Sequence, residues 1–409
     1  MKTEDFANSP SGKVVQMLQG APAFVPNPLP PSLDAAELLM PLAEAQNRLG
    51  ALRELGRQMP NPYLLTRPLL SKEAVSSSSM EGTVTTLTDL FAFEAGIEKR
   101  SATKETREVH NYVRALEHAM DEVKRLPISR RLICNTHSIL LEGVSRDRGR
   151  QKRPGEFRET DPAWTGTAGT PLSEARFVFV PPGQVADIFS ELEKYISNLD
   201  KHNLPTLIKT ALIHYQFETI HPFYDGNGRI GRLLIPLLLH QSGDLPEPML
   251  YLSPYFEKHK DQYIQSLFEV SRGGLWEQWV VFFLNAVSEQ AQDTIARAHF
   301  LQNLQDQYKE KMSQARQSAL ILRLVDMIFA NPVITISQAA RNLDVTYRSA
   351  KNNVLKLIGS EILTEFKGST NRKLYIAMEI YDVIYESISQ LEERFIAKSN
   401  NEKGADEKK

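Results

Sequence analysis

The densest run of chemically capable side chains lies between His221 and Arg232, HPFYDGNGRIGR. His221, with an ordinary pKa near ~6.5, can accept a proton from a hydroxyl at neutral pH. Asp225 is the kind of oxygen ligand Mg²⁺ uses where it bridges phosphates. The turn Asp225-Gly226-Asn227-Gly228 has glycines, which allow positive φ and close backbone approach. A helical pattern opens at Arg229, so the unsatisfied N–H groups of its first turn point into the same space and make an anion site. Asn227 adds a donor, and Arg229 and Arg232 add two cations. Such a loop suits a polyphosphate better than a single carboxylate. Each residue alone has an ordinary use, in the core, in a turn or on a solvated face. All of them within twelve consecutive residues is another matter. Zinc does not fit: His214 and His221 are seven residues apart, almost two helical turns, and no acidic third ligand is spaced to help.

The elements that must position this run are mostly helices. Leu38, Leu39, Leu42, Leu49, Leu52 and Leu55 recur at three- and four-residue steps after a cap at Ser32 or Asp34. Pro60, Pro62 and Pro68 break the pattern, and further helices follow near Ser71 and over 83–94. Three more helical patterns between 104 and 198 are interrupted at 150–184. There FVFV and its Gly, Thr and Pro neighbours read as the one β hairpin of the first 300 residues. Helices resume over 184–199, 205–219, 229–241, 254–271 and 276–302. From Ala319 to Tyr375 the pattern becomes three helices and a two-stranded wing, in which Ser337 caps the second helix. The expected division is an extended Pro-rich segment at 1–33, an N-terminal helical region at 34–100, a core at 101–290, a connector at 291–316, a winged helix at 317–395 and a disordered tail at 396–409.

Composition bounds the rest. The chain has 409 residues, 42% hydrophobic and 24% charged, with formal net charge −2, so any nucleic-acid-binding surface must be local. The lone Cys134, in an apolar stretch, excludes a disulfide framework and a thiolate metal cluster. MKTEDFANSP is not a signal peptide, and no apolar run reaches about 18 residues, so a cytoplasmic protein with no membrane partner is expected.

HPFYDGNGRIGR resembles the signature of the Fic family, H-x-F-x-D/E-G-N-G/K-R-x-x-R, at every specified position. The resemblance implies a mainly α Fic core with a small β-hairpin flap, acting as an adenylyltransferase that moves AMP from ATP to a protein hydroxyl, its own included. It makes His221 the base, Asp225 the holder of Mg²⁺, and Gly226, Asn227 and Gly228 the anion hole. Arg229 and Arg232 would bind phosphates, with Glu218, Thr219, Ile220, Ile230 and Gly231 lining the nucleotide site and Phe223 an apolar anchor. A phosphoryl-transferring branch has lysine where this chain has Gly228. Downstream, the resemblance offers Tyr263 and Trp276 as nucleoside contacts. The flap, at about 160–180, would bind an unidentified target protein by strand addition.

Upstream, Ser77-x-x-x-Glu81-Gly82 matches the family's inhibitory signature. It implies that Glu81 pairs with Arg232 and withholds it from ATP, with Ser77 bonding at the loop and helix junction. Some relatives also remove AMP, so a bifunctional enzyme is an alternative. Another is a DNA-binding regulator with a nucleotide-sensing Fic domain. A third keeps the fold and takes a different donor. Between 346 and 376 six basic residues face two acidic ones, Glu361 and Glu365, which makes DNA a candidate partner of the winged helix. Homodimerisation through the helical N-terminal region or the winged helix is a further expectation.

Overall fold

The computed structural model describes residues 1–17, 20–59, 61–96, 103–144, 153–166, 170–201, 203–314, 319–366 and 373–394. The protein is mainly helical and divides into two compact units, residues 1–54, 73–84 and 107–291 forming the first and 55–72, 85–106 and 292–409 the second. The helical region expected at 34–100 is thus shared between the units.

The first unit opens with an antiparallel hairpin of β1 (Gly12–Gln16) and β2 (Pro22–Pro26), with Val14 opposite Phe24. This corrects the expectation that residues 1–33 are merely extended and that β structure is confined to the flap. The prolines stand at the two ends of β2, where they leave the centre of the ladder intact. Phe24, between them, packs with Phe6 and Phe177. After the hairpin come α1 (Ala35–Gln58), α2 (Tyr63–Met80), α3 (Leu87–Glu94), α4 (Lys104–Val123) and α5 (Arg130–Leu140). Then follow α6 (Val185–Ser197), α7 (Thr206–Ile220), α8 (Asn227–Gln241), α9 (Ser253–Lys258), α10 (Lys260–Gly273) and the long α11 (Trp276–Gln314). Helix α7 is buried from Leu207 to Phe217 on every face, as an internal helix must be, and packs against α8.

The flap is slighter than a hairpin. Among the described residues it consists of one antiparallel bridge, Trp164 with Val178, flanked by Thr165 N–H to the Phe177 carbonyl and Phe179 N–H to the Ala163 carbonyl. Its outer edge is already paired, because Phe24 of β2 donates its N–H to the Val178 carbonyl at 2.9 Å.

In the second unit α12 (Ala319–Ala330), β3 (Val333–Ile334), α13 (Ile336–Leu343), α14 (Tyr347–Gly359), β4 (Thr364–Phe366), β5 (Leu374–Ile376) and α15 (Met378–Tyr385) follow in order. The strands form a three-stranded antiparallel sheet, β3-β5-β4. Three helices with a wing were expected; the sheet gains β3 as a third strand. The cap of α13 is Thr335, which accepts from Gln338 N–H, and not Ser337. Thr335 Oγ1 also reaches the Ala95 carbonyl beyond α3. Lys367, Arg372 and the tail at 396–409 lie outside the described residues. Among the described residues no helix is long and apolar enough to cross a membrane.

Candidate functional site

Helix α7 ends at His221, whose backbone turns left-handed (φ 50°, ψ 60°), and Gly226 (φ 78°) opens α8. Three side chains fix the loop between them. Asn227 accepts from Phe223 N–H and donates to the Phe223 carbonyl, both at 2.8 Å, so its amide clamps the turn. His137 on α5 stacks on Phe223 at 3.8 Å. Its Nδ1 accepts from Gly155 N–H, so Nε2 carries the proton and donates to the Asp225 carbonyl at 2.8 Å.

The third is Arg158. Its guanidinium donates to the carbonyls of His221, Val180 and Ile220, and its own N–H donates to the Pro222 carbonyl. A single buried cation thereby joins the flap to the backbone of the histidine. Phe179 of the flap stacks on the His221 ring at 3.9 Å. Burial, then the charge of Arg158, brings the His221 pKa down to about 4, so the ring is neutral at pH 7. Nδ1 lies 3.3 Å from the Glu218 carbonyl, which can only accept, and this leaves Nε2 as the basic nitrogen.

His221 opens into a cavity of about 780 Å³. Glu81, Glu218, Thr219, Gly228, Arg232 and Tyr263 share its wall, with Trp164 and Phe179 of the flap on another side. Arg232 is engaged through three of its five N–H donors. Its Nε donates to Ser77 Oγ at 2.9 Å, and its Nη2 donates to the Ser77 carbonyl and to Glu81 Oε1, each at 2.8 Å. Burial acts to raise the Glu81 pKa, but Arg232 outweighs it and holds the carboxyl below its ordinary value. A Cβ on Gly228 would lie 2.2 Å from Glu81 Oε1, so the carboxylate occupies the space a side chain at that position would fill.

The delivery of Glu81 is built into the end of α2. Gly82, at φ 79°, takes the left-handed position that ends a helix, while Thr83 N–H returns to the Ser78 carbonyl. Lys260 Nζ donates to the last helical carbonyl, Met80 O, at 2.8 Å. Two turns back, buried Glu73 accepts from Tyr112 OH and from the N–H and hydroxyl of Ser253.

Other expected residues lie elsewhere. Arg229 is 2% exposed and faces Asp225 at 3.4 Å and Glu108 at 3.7 Å, away from the cavity wall. Ile220 and Ile230 are core. Gly231 lends its carbonyl to His214 and leaves room for the Glu218 carboxyl. Tyr263 is on the wall, bonded to His214 at 2.8 Å, whereas Trp276 packs edge-on against Tyr215 in the core. Burial pushes Glu218 up to about 8, so its carboxyl is mostly neutral at pH 7, and its Oε1 has no hydrogen-bond partner.

Among the described residues no three His, Cys, Asp or Glu side chains are grouped to hold a metal on their own. The Asp225 carboxylate is 34% exposed, which suits a cation that takes most of its ligands from phosphates and water.

Two internal helices joined by a glycine turn, with a neutral histidine at one end and a buried arginine beyond the turn, define a mainly helical fold built around one cavity. Residues 39–121 match the model of the Fic/DOC family N-terminal domain and residues 127–239 that of the Fic/DOC family. Over those residues the chain belongs to the Fic/DOC family. It is 31% identical over 142 residues to "Protein adenylyltransferase Fic" of Drosophila grimshawi, covering 34% of this chain and 26% of that one. It is 27% identical over 154 residues to "Probable protein adenylyltransferase aq_aa38" of Aquifex aeolicus (strain VF5), covering 38% and 40%. The match thus spans about a quarter to two-fifths of those relatives' length. A crystal structure of a Fic family protein from Desulfovibrio desulfuricans G20 superposes with TM-score 0.54 at 19% identity, over 85% of this chain and 98% of that one, which establishes the fold.

Proposed function

We propose that this protein transfers AMP from ATP to a hydroxyl of a protein side chain and that Glu81 holds the reaction off at rest. The observation that carries this reading is Glu81 Oε1 on Arg232 at 2.8 Å, inside the cavity that His221 faces. Among the described residues Glu81 is the acid in ion-pair contact with Arg232, and an incoming phosphate competes for the same guanidinium. The adenylyltransferase names of the relatives agree with AMP as the group moved.

In this reaction neutral His221 takes the proton of the target hydroxyl at Nε2 as that oxygen attacks the α-phosphorus of ATP. The new O–P bond forms, the bond from that phosphorus to the bridging oxygen breaks, and pyrophosphate leaves. The N–H groups at the start of α8 receive phosphate oxygens. Asp225 would hold a Mg²⁺, which neutralises phosphate charge when bound. The target adds as a strand at Trp164: its backbone groups turn away from Val178 and have no partner among the described residues, whereas the other edge carries β2.

The test is labelled-AMP incorporation by purified protein. A charge-assisted pair is worth about 1.5–3 kcal/mol, so Glu81→Gly should raise self-modification by roughly 10- to 100-fold. Mass spectrometry should find the AMP increment and no UMP or phosphocholine. Incorporation no greater than wild type removes the brake, and full activity in Glu81→Gly/His221→Ala removes the base.

A further inference from the structure

We propose that α14 presents a binding face for double-stranded DNA, a function separate from the transfer site. Tyr347, Arg348, Lys351, Asn352, Leu355 and Lys356 are all exposed. They fall in two adjacent rows at four-residue steps and so make one continuous stripe along the helix. The opposite face, with Ala350, Asn353, Val354 and Leu357, is buried in the second unit. Tyr347 and Leu355 stay 57% and 49% exposed, although nothing in their own packing needs them in water.

The charge on this face is unmixed. Helix α14 contains no aspartate or glutamate, and Arg348, Lys351 and Lys356 have no carboxylate partner among the described residues. The basic count of the C-terminal region is sharpened by this, because Lys373 is already paired with Glu365 at 3.0 Å. Of the described cations between 346 and 376, those without a carboxylate partner are therefore the three on α14. From Arg348 to Lys356 the rise is about 12 Å, close to the width of a B-DNA major groove, and cations at both ends of the stripe can reach phosphates on either side. Asn352 between them and Tyr347 at the start of the stripe supply the planar amide and the phenol suited to base edges and phosphate oxygens.

The helical frame suits this use. Asp344 (φ 54°) makes the tight left-handed turn from α13, and Thr346 caps α14 by accepting from Ser349 N–H. The first turn of the second helix of the pair is therefore held, with its cationic stripe outward, as helix-turn-helix readers hold theirs. A second copy of the chain is the weaker occupant. A two-fold contact through this face would set Arg348, Lys351 and Lys356 against the same three cations. With a net charge of −2, the chain as a whole offers DNA no general attraction, so binding must be local to be seen at all.

The experiment uses the full-length protein and a fluorescent 24-base-pair duplex of mixed sequence, titrated by anisotropy between 50 and 200 mM KCl. Wild type should bind, with affinity falling steeply as salt rises. Arg348→Ala/Lys351→Ala should lower affinity at least tenfold and reduce the slope of log affinity on log salt by about 2, at about 0.9 per lost phosphate contact. Arg131→Ala/Lys201→Ala, exposed cations of the first unit, should bind like wild type. Far-ultraviolet circular dichroism and undiminished self-modification in the Glu81→Gly background show that the α14 variant is folded. Absence of binding at 50 mM KCl, a salt-independent affinity, or equal losses in both double variants overturns the proposal. So does a change in mass by light scattering in the α14 variant with DNA binding intact, which would assign the face to a second copy.

Discussion

Arg158 carries a charge into the interior, 1% exposed, with backbone carbonyls as its partners. Burying such a charge costs stability unless hydrogen bonds offset it, and here those bonds fix the carbonyl of His221, whose pKa burial and then the Arg158 charge push down. In the Glu81→Gly background, Arg158→Met should reduce kcat by roughly 10- to 100-fold, the worth of hydrogen bonds to a charged group. The KM for ATP should change little. Removing the cation also raises the His221 pKa, so the acid limb of the pH–rate profile should move to higher pH. Arg158→Lys, which keeps the charge but not the fork, should restore the limb more than the rate. A uniform loss with an unmoved profile would mean that Arg158 only supports the fold. Residues of this kind are illegible in a sequence for a physical reason. His221, Glu81 and Arg232 are recognisable because their partners are side chains of fixed type and spacing. Arg158 and His137 act on backbone groups, which every residue has, and Arg158 does so from a segment with no periodicity. The types of Asn227 and Arg229 announce phosphate binding, and the sequence does not show that the loop also uses them on itself, Asn227 on Phe223 and Arg229 on Asp225.

At the scale of elements, α2 is held at both ends of its last three turns, by Glu73 with Tyr112 and Ser253 and by Lys260 on Met80. The brake is therefore set by the helix end. Gly82 has open space where a Cβ would be, but its φ of 79° disfavours any other residue by about 1–2 kcal/mol. Gly82→Ala should loosen the placement of Glu81 and raise self-modification by about 3- to 10-fold, less than Glu81→Gly does. Labelled-AMP incorporation by the two variants side by side decides it. An Ala variant as silent as wild type would show that the turn does not set the brake. Most helices were legible because apolar spacing is local, but α2 starts at Tyr63 and runs through Pro68, which the sequence reads as a break before Ser71. The β pairings were not legible. FVFV reads as a hairpin, but Val178 makes one bridge and then pairs with Phe24, some 150 residues earlier, through a hairpin that prolines disguise. Strand partners are chosen by tertiary packing, here the cluster of Phe6, Phe24 and Phe177.

Across the whole molecule, buried titratable groups make stability depend on pH with opposite signs. Burial lowers His214 to about 3 and His137 and His221 to about 4. Between these values and about 6.5 the unfolded chain binds the protons and the folded chain does not, so stability falls as pH drops through that window. For His137 alone, the shift corresponds to on the order of 3 kcal/mol by the lower end of the window. Glu218 behaves oppositely. Its pKa is raised by burial to about 8, so the folded state holds a proton that the unfolded state has released, and stability falls as pH rises from 4.5 to about 8. Below 6.5 three histidines outweigh one glutamate, and above it Glu218 acts without them. The melting temperature of the first unit should therefore peak near pH 6.5 and fall on both sides, more steeply towards acid. His214 donates Nδ1–H to the Gly231 carbonyl and accepts from Tyr263 OH, a pair of roles that a glutamine amide can also fill. Melts of His214→Gln between pH 4 and 8 should show a shallower acid limb, and Glu218→Gln should flatten the alkaline limb and steepen the acid one above pH 4.5, where Glu218 opposed the histidines. An alkaline limb of undiminished slope in Glu218→Gln would show that the carboxyl at the back of the cavity is ionised in the folded protein. In that case Arg232 would face two carboxylates at rest, and Glu81 would no longer account for the resting state alone.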